Sequence, residues 1–332
     1  MASAVVVLIA DDRRGGHPSG QGRGLGHGKT ELTVSLAETT LVGFSPMEQL
    51  IALRNILRKR AHRRLTQAFE GARSVAFDDS SRLVFFSDLH RGDNSRSDAF
   101  AQNEELFLQA LNHYYRRGYT YIEVGDGDEL WQNRRLSTVR RAHHRTFDML
   151  HAFARADRLH MIFGNHDIQG FKRRRMKKGR LTADEGLILR HSETDQRIFV
   201  VHGHQVDFKS DGIYCVSRFM TRHVWRHLQN LGVGDVSTRA TESRNRGTLR
   251  TRVCEWIDTH KQMVICGHTH TPRFAAAGMT PYFNTGSGVF DGYITGLEIL
   301  NGAIAPVKWL QPSESQAERL LLAPPRKLRL AA

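Results

Sequence analysis

Leu83-Val84-Phe85-Phe86-Ser87-Asp88-Leu89-His90 joins a short apolar run to an Asp-x-His pair, and the same construction returns four more times along the chain. Tyr119–Val124 leads into Gly125-Asp126-Gly127-Asp128-Glu129. His160–Phe163 leads into Gly164-Asn165-His166-Asp167. Ile198–Val201 runs into His202-Gly203-His204, and Met263–Cys266 into Gly267-His268-Thr269-His270. Runs this short and this apolar read as buried strands. Between them lie helical patterns, one over Asp98–Arg117 that stops at Gly118 and one over Ser137–Ala156. Strands alternating with helices predict an α/β layered fold, and ligand-type residues at the carboxyl ends of strands are where such folds place sites.

Outward from these runs the chain divides by composition. Residues 1–44 are Gly-rich between Gly15 and Gly28 and read as a flexible leader. Gly28-Lys29-Thr30 mimics a phosphate loop, but Arg23 stands where the earlier glycine is needed. Ser45-Pro46-Met47-Glu48 opens a helix with a capping box. Leu50, Leu53, Leu57 and Phe69 fall on one face of it, and Arg58, Lys59, Arg60, Arg63 and Arg64 form a solvated basic face. Residues 45–81 are thus a basic amphipathic helix and linker. Residues 82–310 form the main domain. Within it, 207–260 reads as a helical cap insertion carrying Phe219, Met220, Val224, Trp225, Leu228 and Leu231. Ile294–Leu300 and Ile304–Trp309 flank Asn301-Gly302, a hairpin signal. Residues 311–332 read as a loose tail.

The 332 residues carry 48 Lys and Arg against 34 Asp and Glu, a formal charge of +14 that favours anionic partners. The three cysteines, Cys215, Cys254 and Cys266, are scattered and read as reduced thiols. No apolar run reaches the length of a membrane span, and Met1–Ala10 lacks the basic start of a signal peptide. The expectation is a cytoplasmic protein.

The chemistry lies in the five strand-end clusters. On an extended segment, Asp88 and His90 would point the same way and could grip one metal. The glycine before Asp126 lets the chain turn tightly, and a carboxylate there can bridge two ions. Asn165 offers an amide oxygen. His166 can donate a proton, with Asp167 orienting its ring. His268 and His270 can each reach a different metal. Asp128 and Glu129 read as supporting loop residues, and His143, His144, His151 and His191 as structural histidines.

In this order, Asp88-x-His90, Gly125-Asp126, Gly164-Asn165-His166-Asp167, His202 and Gly267-His268-x-His270 resemble the calcineurin-like metallophosphoesterase superfamily. Gly125–Trp131 is similar to bacterial members described as serine/threonine phosphatases, and Tyr282–Ser287 to the UDP-2,3-diacylglucosamine hydrolase branch. The resemblance implies a β-sandwich flanked by helices. It implies one divalent ion held by Asp88, His90, Asp126 and His270, and a second held by Asp126, Asn165, His202 and His268. His166 would be the general acid. Hydrolysis of a phosphate ester follows, with both ions lowering the pKa of the attacking water to give a metal-bound hydroxide. Nitrogen and oxygen donors together suit Mn²⁺, Fe²⁺ or Zn²⁺.

The partner is then a phosphorylated substrate, small molecule or phosphoprotein. Arg173 and Arg174, in the basic run Lys172–Arg180, are candidate phosphate contacts, and His204 is a third candidate substrate contact. A pyrophosphatase of the UDP-2,3-diacylglucosamine type is an alternative. A metal-dependent nuclease is another, since the charge favours nucleic acid. A metal-stabilised binding protein is opposed by the presence of every expected ligand.

Overall fold

The computed structural model describes residues 45–168, 175–178, 181–207, 239–311 and 317–328. The expected leader 1–44, Arg173, Arg174 and most of the 207–260 insertion lie outside them. The chain divides into two compact units, Met1–Asn55 and Ile56–Ala332. The described part of the first unit is the opening of helix α1 (Pro46–Glu70). Its capping box forms as expected: the Ser45 N–H donates to Glu48 Oε2 at 2.7 Å, and the Glu48 N–H to Ser45 Oγ at 3.4 Å.

Two sheets make up the second unit. The larger holds β2 (Leu83–Phe86), β3 (Thr120–Val124), β4 (Leu159–Ile162), β5 (Arg175–Lys178), β6 (Leu181–Asp184), β11 (Tyr293–Leu300), β12 (Ala303–Leu310), β13 (Glu318–Leu321) and β14 (Arg326–Lys327). Their order is β13-β12-β11-β2-β3-β4-β6-β5, with β14 also on β12. The smaller runs β1 (Arg73–Phe77), β7 (Gly186–His191), β8 (Arg197–Val201), β9 (Met263–Cys266) and β10 (Tyr282–Asn284). The expected hairpin is β11–β12; Asn301 and Gly302 turn it with φ of +51° and +65°.

Alternation explains why the central runs are apolar throughout. Leu83 and Phe85 of β2 face the space between the sheets, with Ile122, Val124, Val200 and Ile265. Val84 and Phe86 face the other way, onto helices α2 (Glu104–Arg116), α3 (Leu136–Ala142) and α4 (His144–Arg155). Phe199, Val201 and Val264 of the smaller sheet point outward onto Ala61, Leu65 and Ala68 of α1 and onto Leu249, Val253 and Trp256 of α5 (Arg239–His260). The order is helices, sheet, sheet, helices. Every central strand is buried on both faces, and each fully buried Phe or Val contributes about 1.5–3 kcal/mol.

Two expectations need correction. Ser137–Ala156 is two helices, broken at His143 with φ −115° and ψ 41°. The ring of His143 is drawn into the interior between Asp98 and Glu104. The tail is not loose throughout: β13 and β14 pair with β12, and Leu328 enters the core between the sheets. Of the expected cap, the described part is α5, which packs on the outer face of the smaller sheet.

Candidate functional site

Loops from both sheets meet at one end of the sandwich. β2, β3 and β4 run parallel, as do β8, β9 and β10, so the carboxyl ends within each set lie side by side. The backbone there is unusual. Asp88, His90, Asp126, His268 and His270 all have φ between +51° and +68°, a conformation that non-glycine residues rarely adopt. The Asp-x-His and His-x-His pairs therefore do not converge by extended alternation; left-handed kinks turn both members inward. Such outliers gather where the surroundings impose a functional geometry.

Glycines make the approach possible. A Cβ on Gly125, itself at φ +82°, would come within 2.6 Å of the His202 ring. A Cβ on Gly164 would strike Asp126 Oδ1, and one on Gly267 would strike Ser87 Oγ. The three glycines let neighbouring loops touch.

Three groups of donors result among the described residues, and one of them, His90, Glu129 and His166, shares His90 with another. Asp88, His90 and His270 offer ligand atoms within 4.8 Å of one another, and so do Asp126, His202 and His268. Asp126 Oδ2 lies between the two, 3.1 Å from His202 Nε2 and 3.9 Å from His90 Nε2. His270 Nε2 is 3.1 Å from Asp88 Oδ1 and 3.3 Å from His90 Nε2. Two ligand rings are fixed through their other nitrogen: His202 Nδ1 to the Val124 carbonyl at 2.9 Å, and His90 Nδ1 to Glu129 at 2.9 Å. Both present Nε2 to the site.

The donors fit a pair of cations. Asp88 Oδ1, Asn165 Oδ1 and His202 Nε2 are buried without a hydrogen bond among the described residues. Buried polar atoms are seldom left so. Charge tells the same story. Burial would raise the Asp88 carboxyl, but His270 and His202 pull it down to about 2. Burial would lower His202 and His90; Asp126 and Asp88 beside the first, and Glu129 hydrogen-bonded to the second, raise each to about 9. Carboxylates this strongly held attract cations, and a metal would displace the imidazole protons.

His166 sits at the edge, its side chain 20% exposed. Its backbone N–H donates to Asp126 Oδ1 at 2.8 Å. The ring stacks on Trp131 at 4.1 Å between centroids, and its Nδ1 lies 2.8 Å from Glu129 Oε2. The carboxylate that orients it is therefore Glu129, not the expected Asp167. Asp167 turns away and accepts from the Gly164 and Asp128 N–H groups and from Lys178. Glu129 thus holds both His90 and His166. Its signal in the sequence was its place three residues after Asp126, at the inner side of the same turn. His204 is 1% exposed, its ring 5.6 Å from that of His202 and 6.3 Å from that of Phe163. The ring is buried beside that of a candidate ligand. Asp207 was not anticipated; its Oδ2 lies 3.4 Å from His268 Nε2.

The sequence profile described as calcineurin-like phosphoesterase matches residues 81–272, which is more than half of the chain and includes all five clusters. The chain belongs to the calcineurin-like phosphoesterase family. It is accordingly a metal-dependent hydrolase of phosphate esters. The two-sheet sandwich agrees with that fold. Among solved structures, Vacuolar Protein Sorting 29 from Cryptosporidium parvum is similar at 12% identity, covering 74% of this chain and 98% of that one with a TM-score of 0.35. No curated protein matches by sequence. No helix among the described residues of this phosphoesterase is long and apolar enough to cross a membrane.

Proposed function

We propose that this phosphoesterase is a dinuclear phosphatase. Asp88, His90 and His270 would hold one ion, His202, His268 and Asn165 the other, and Asp126 both. The observation that carries this reading is the pair of donor groups that meet at Asp126 Oδ2, with the Asn165 amide oxygen beside them left without a hydrogen bond. Imidazole, carboxylate and amide donors together suit Mn²⁺, Fe²⁺ or Zn²⁺. Two such ions, when bound, supply the positive charge that offsets the phosphate oxygens and acidifies water.

The rest is done by the chain. His166 gives a proton to the leaving oxygen as general acid. Glu129 at Nδ1 fixes the ring and its tautomer, leaving Nε2 to carry that proton, and Trp131 limits rotation by stacking. Arg173 and Arg174, which lie outside the described residues, would grip the substrate's anionic group; reversing their charge should raise KM.

The test is hydrolysis of p-nitrophenyl phosphate and bis-p-nitrophenyl phosphate by metal-stripped protein, with Mn²⁺, Fe²⁺, Zn²⁺ or Mg²⁺ restored singly. Turnover that returns with a metal, faster on the monoester, supports the phosphatase. A strong preference for the diester would replace it with a phosphodiesterase.

A further inference from the structure

Beneath the donor groups lies a second set of charges that hydrolysis does not use directly. Arg91, Glu123, Asp128, Asp167 and Lys178 are all buried, none more than 2% exposed. Arg91 forks onto Glu123 at 2.7 and 2.8 Å and donates from Nε to Asp128 at 2.8 Å. Lys178 Nζ reaches Asp167 at 2.5 Å and Asp128 at 3.0 Å. Two cations thus serve three carboxylates, and each of the three has a cation within hydrogen-bond reach.

The members come from different parts of the chain. Arg91 follows His90, Asp128 lies two residues after Asp126, Asp167 two after Asn165, and Lys178 ends β5 at the edge of the larger sheet. Asp167 in turn fixes two backbone N–H groups, those of Gly164 at 2.8 Å and Asp128 at 3.0 Å. Gly164 is the residue on which a Cβ would strike Asp126 Oδ1. A line of contacts therefore runs from Lys178 through Asp167 to the loop that meets Asp126.

We propose that Lys178 is a positioning residue for the metal centre: by clamping Asp167 and Asp128 together, it sets the spacing between the Asp126 loop and the Asn165 loop and so the fit of the ion they share. The inference rests on the dinuclear reading above. It separates Lys178 from the rest of its basic run, since the adjacent Lys177 is exposed. Partners of this kind, one step behind the ligands, commonly change metal affinity about 10–100-fold when removed.

Calorimetric titration of the metal-stripped full chain with Mn²⁺ tests it, below the melting temperature of each variant and with folding followed by circular dichroism. Lys178→Met should raise the Mn²⁺ dissociation constant about 10–100-fold, and Lys177→Met should leave it as in wild type. If Lys178→Met does not fold, the charge-balanced Lys178→Met/Asp128→Asn chain takes its place, with the same rise expected. Wild-type affinity in a folded Lys178 variant, even one with a lower melting temperature, overturns the proposal. So does failure of both Lys178 variants to fold while Lys177→Met folds, which would make Lys178 a requirement of the fold at large. Wild type and Asp126→Ala in the same titration keep the dinuclear reading separate: it fails if wild type binds no Mn²⁺, or if Asp126→Ala binds it equally well.

Discussion

Two buried clusters of histidine and carboxylate, both among the described residues, differ in what they leave open. At the strand ends, Asp88, Asn165 and His202 keep donor atoms without hydrogen bonds, and the backbone is forced left-handed at five candidate ligands. Under α3 and α4, His143 lies between Asp98 at 2.8 Å and Glu104 at 3.0 Å. There the carboxylates are taken up. Asp98 accepts the N–H groups of Asn94 and Phe100, and Glu104 accepts the Thr146 hydroxyl. The second cluster is one imidazole between two carboxylates, beside a hydrophobic layer. Residue type and burial are common to both, and each holds a buried ring nitrogen without a hydrogen bond, His202 Nε2 in the first and His143 Nδ1 in the second; unbonded Asp88 and Asn165 oxygens and the left-handed ligand backbone belong to the first alone. That distinction marks a site for an outside cation.

The comparison is broken most severely by Asp126→Ala. Turnover should fall to background and bound metal should drop below the wild-type stoichiometry, read by colorimetric assay and elemental analysis on the same sample. Retention of both would show that Asp126 does not join the two groups. His166→Ala comes next. It should lose about 10²–10⁴-fold in kcat while keeping its metals, as expected for a proton donor; a variant that also loses metal would move His166 into the ligand set. Glu129→Gln should follow with a loss of about 10–100-fold, because the one carboxylate orients both His90 and His166.

The His143 cluster should respond in stability instead of activity. Burial lowers the His143 pKa, but Asp98 and Glu104 raise it overall to about 9, above the ordinary 6.5. A raised pKa contributes stability that is fully present below pH 6.5 and lost as pH rises through about 9. His143→Gln should therefore cost about 3–5 kcal/mol at pH 6. The gap to wild type should narrow toward pH 9–10, measured by denaturant unfolding of metal-loaded protein. A gap that widens with pH would mean that His143 is buried neutral. The kcat on p-nitrophenyl phosphate should stay at the wild-type value.

Much of the frame was legible because apolar runs and turn residues act locally. Leu83–Phe86, Met263–Cys266 and the Asn301-Gly302 hairpin follow from alternation and left-handed turn chemistry. What escaped depends on distant partners. β1, Arg73–Phe77, is a short strand made by its parallel register with Leu187–His191. β13 and β14 exist because β12 offers them an edge. The break at His143 has no proline or glycine to announce it; two acids from the preceding segment draw the ring inward. Glu129 and Lys178 were hidden for a related reason. One sits in an acidic run and the other in a basic run, and runs of charge ordinarily face water. Only the folded loops show which member of each run turns inside.

The strand-end cluster, and not the His143 cluster, is proposed to hold a pair of ions joined by Asp126. Anomalous difference density from a crystal of the Mn²⁺-loaded protein tests it most directly. Two peaks are expected, one among Asp88, His90, Asp126 and His270 and one among Asp126, Asn165, His202 and His268, with nothing at His143. A single peak, or a peak between Asp98, His143 and Glu104, would contradict it.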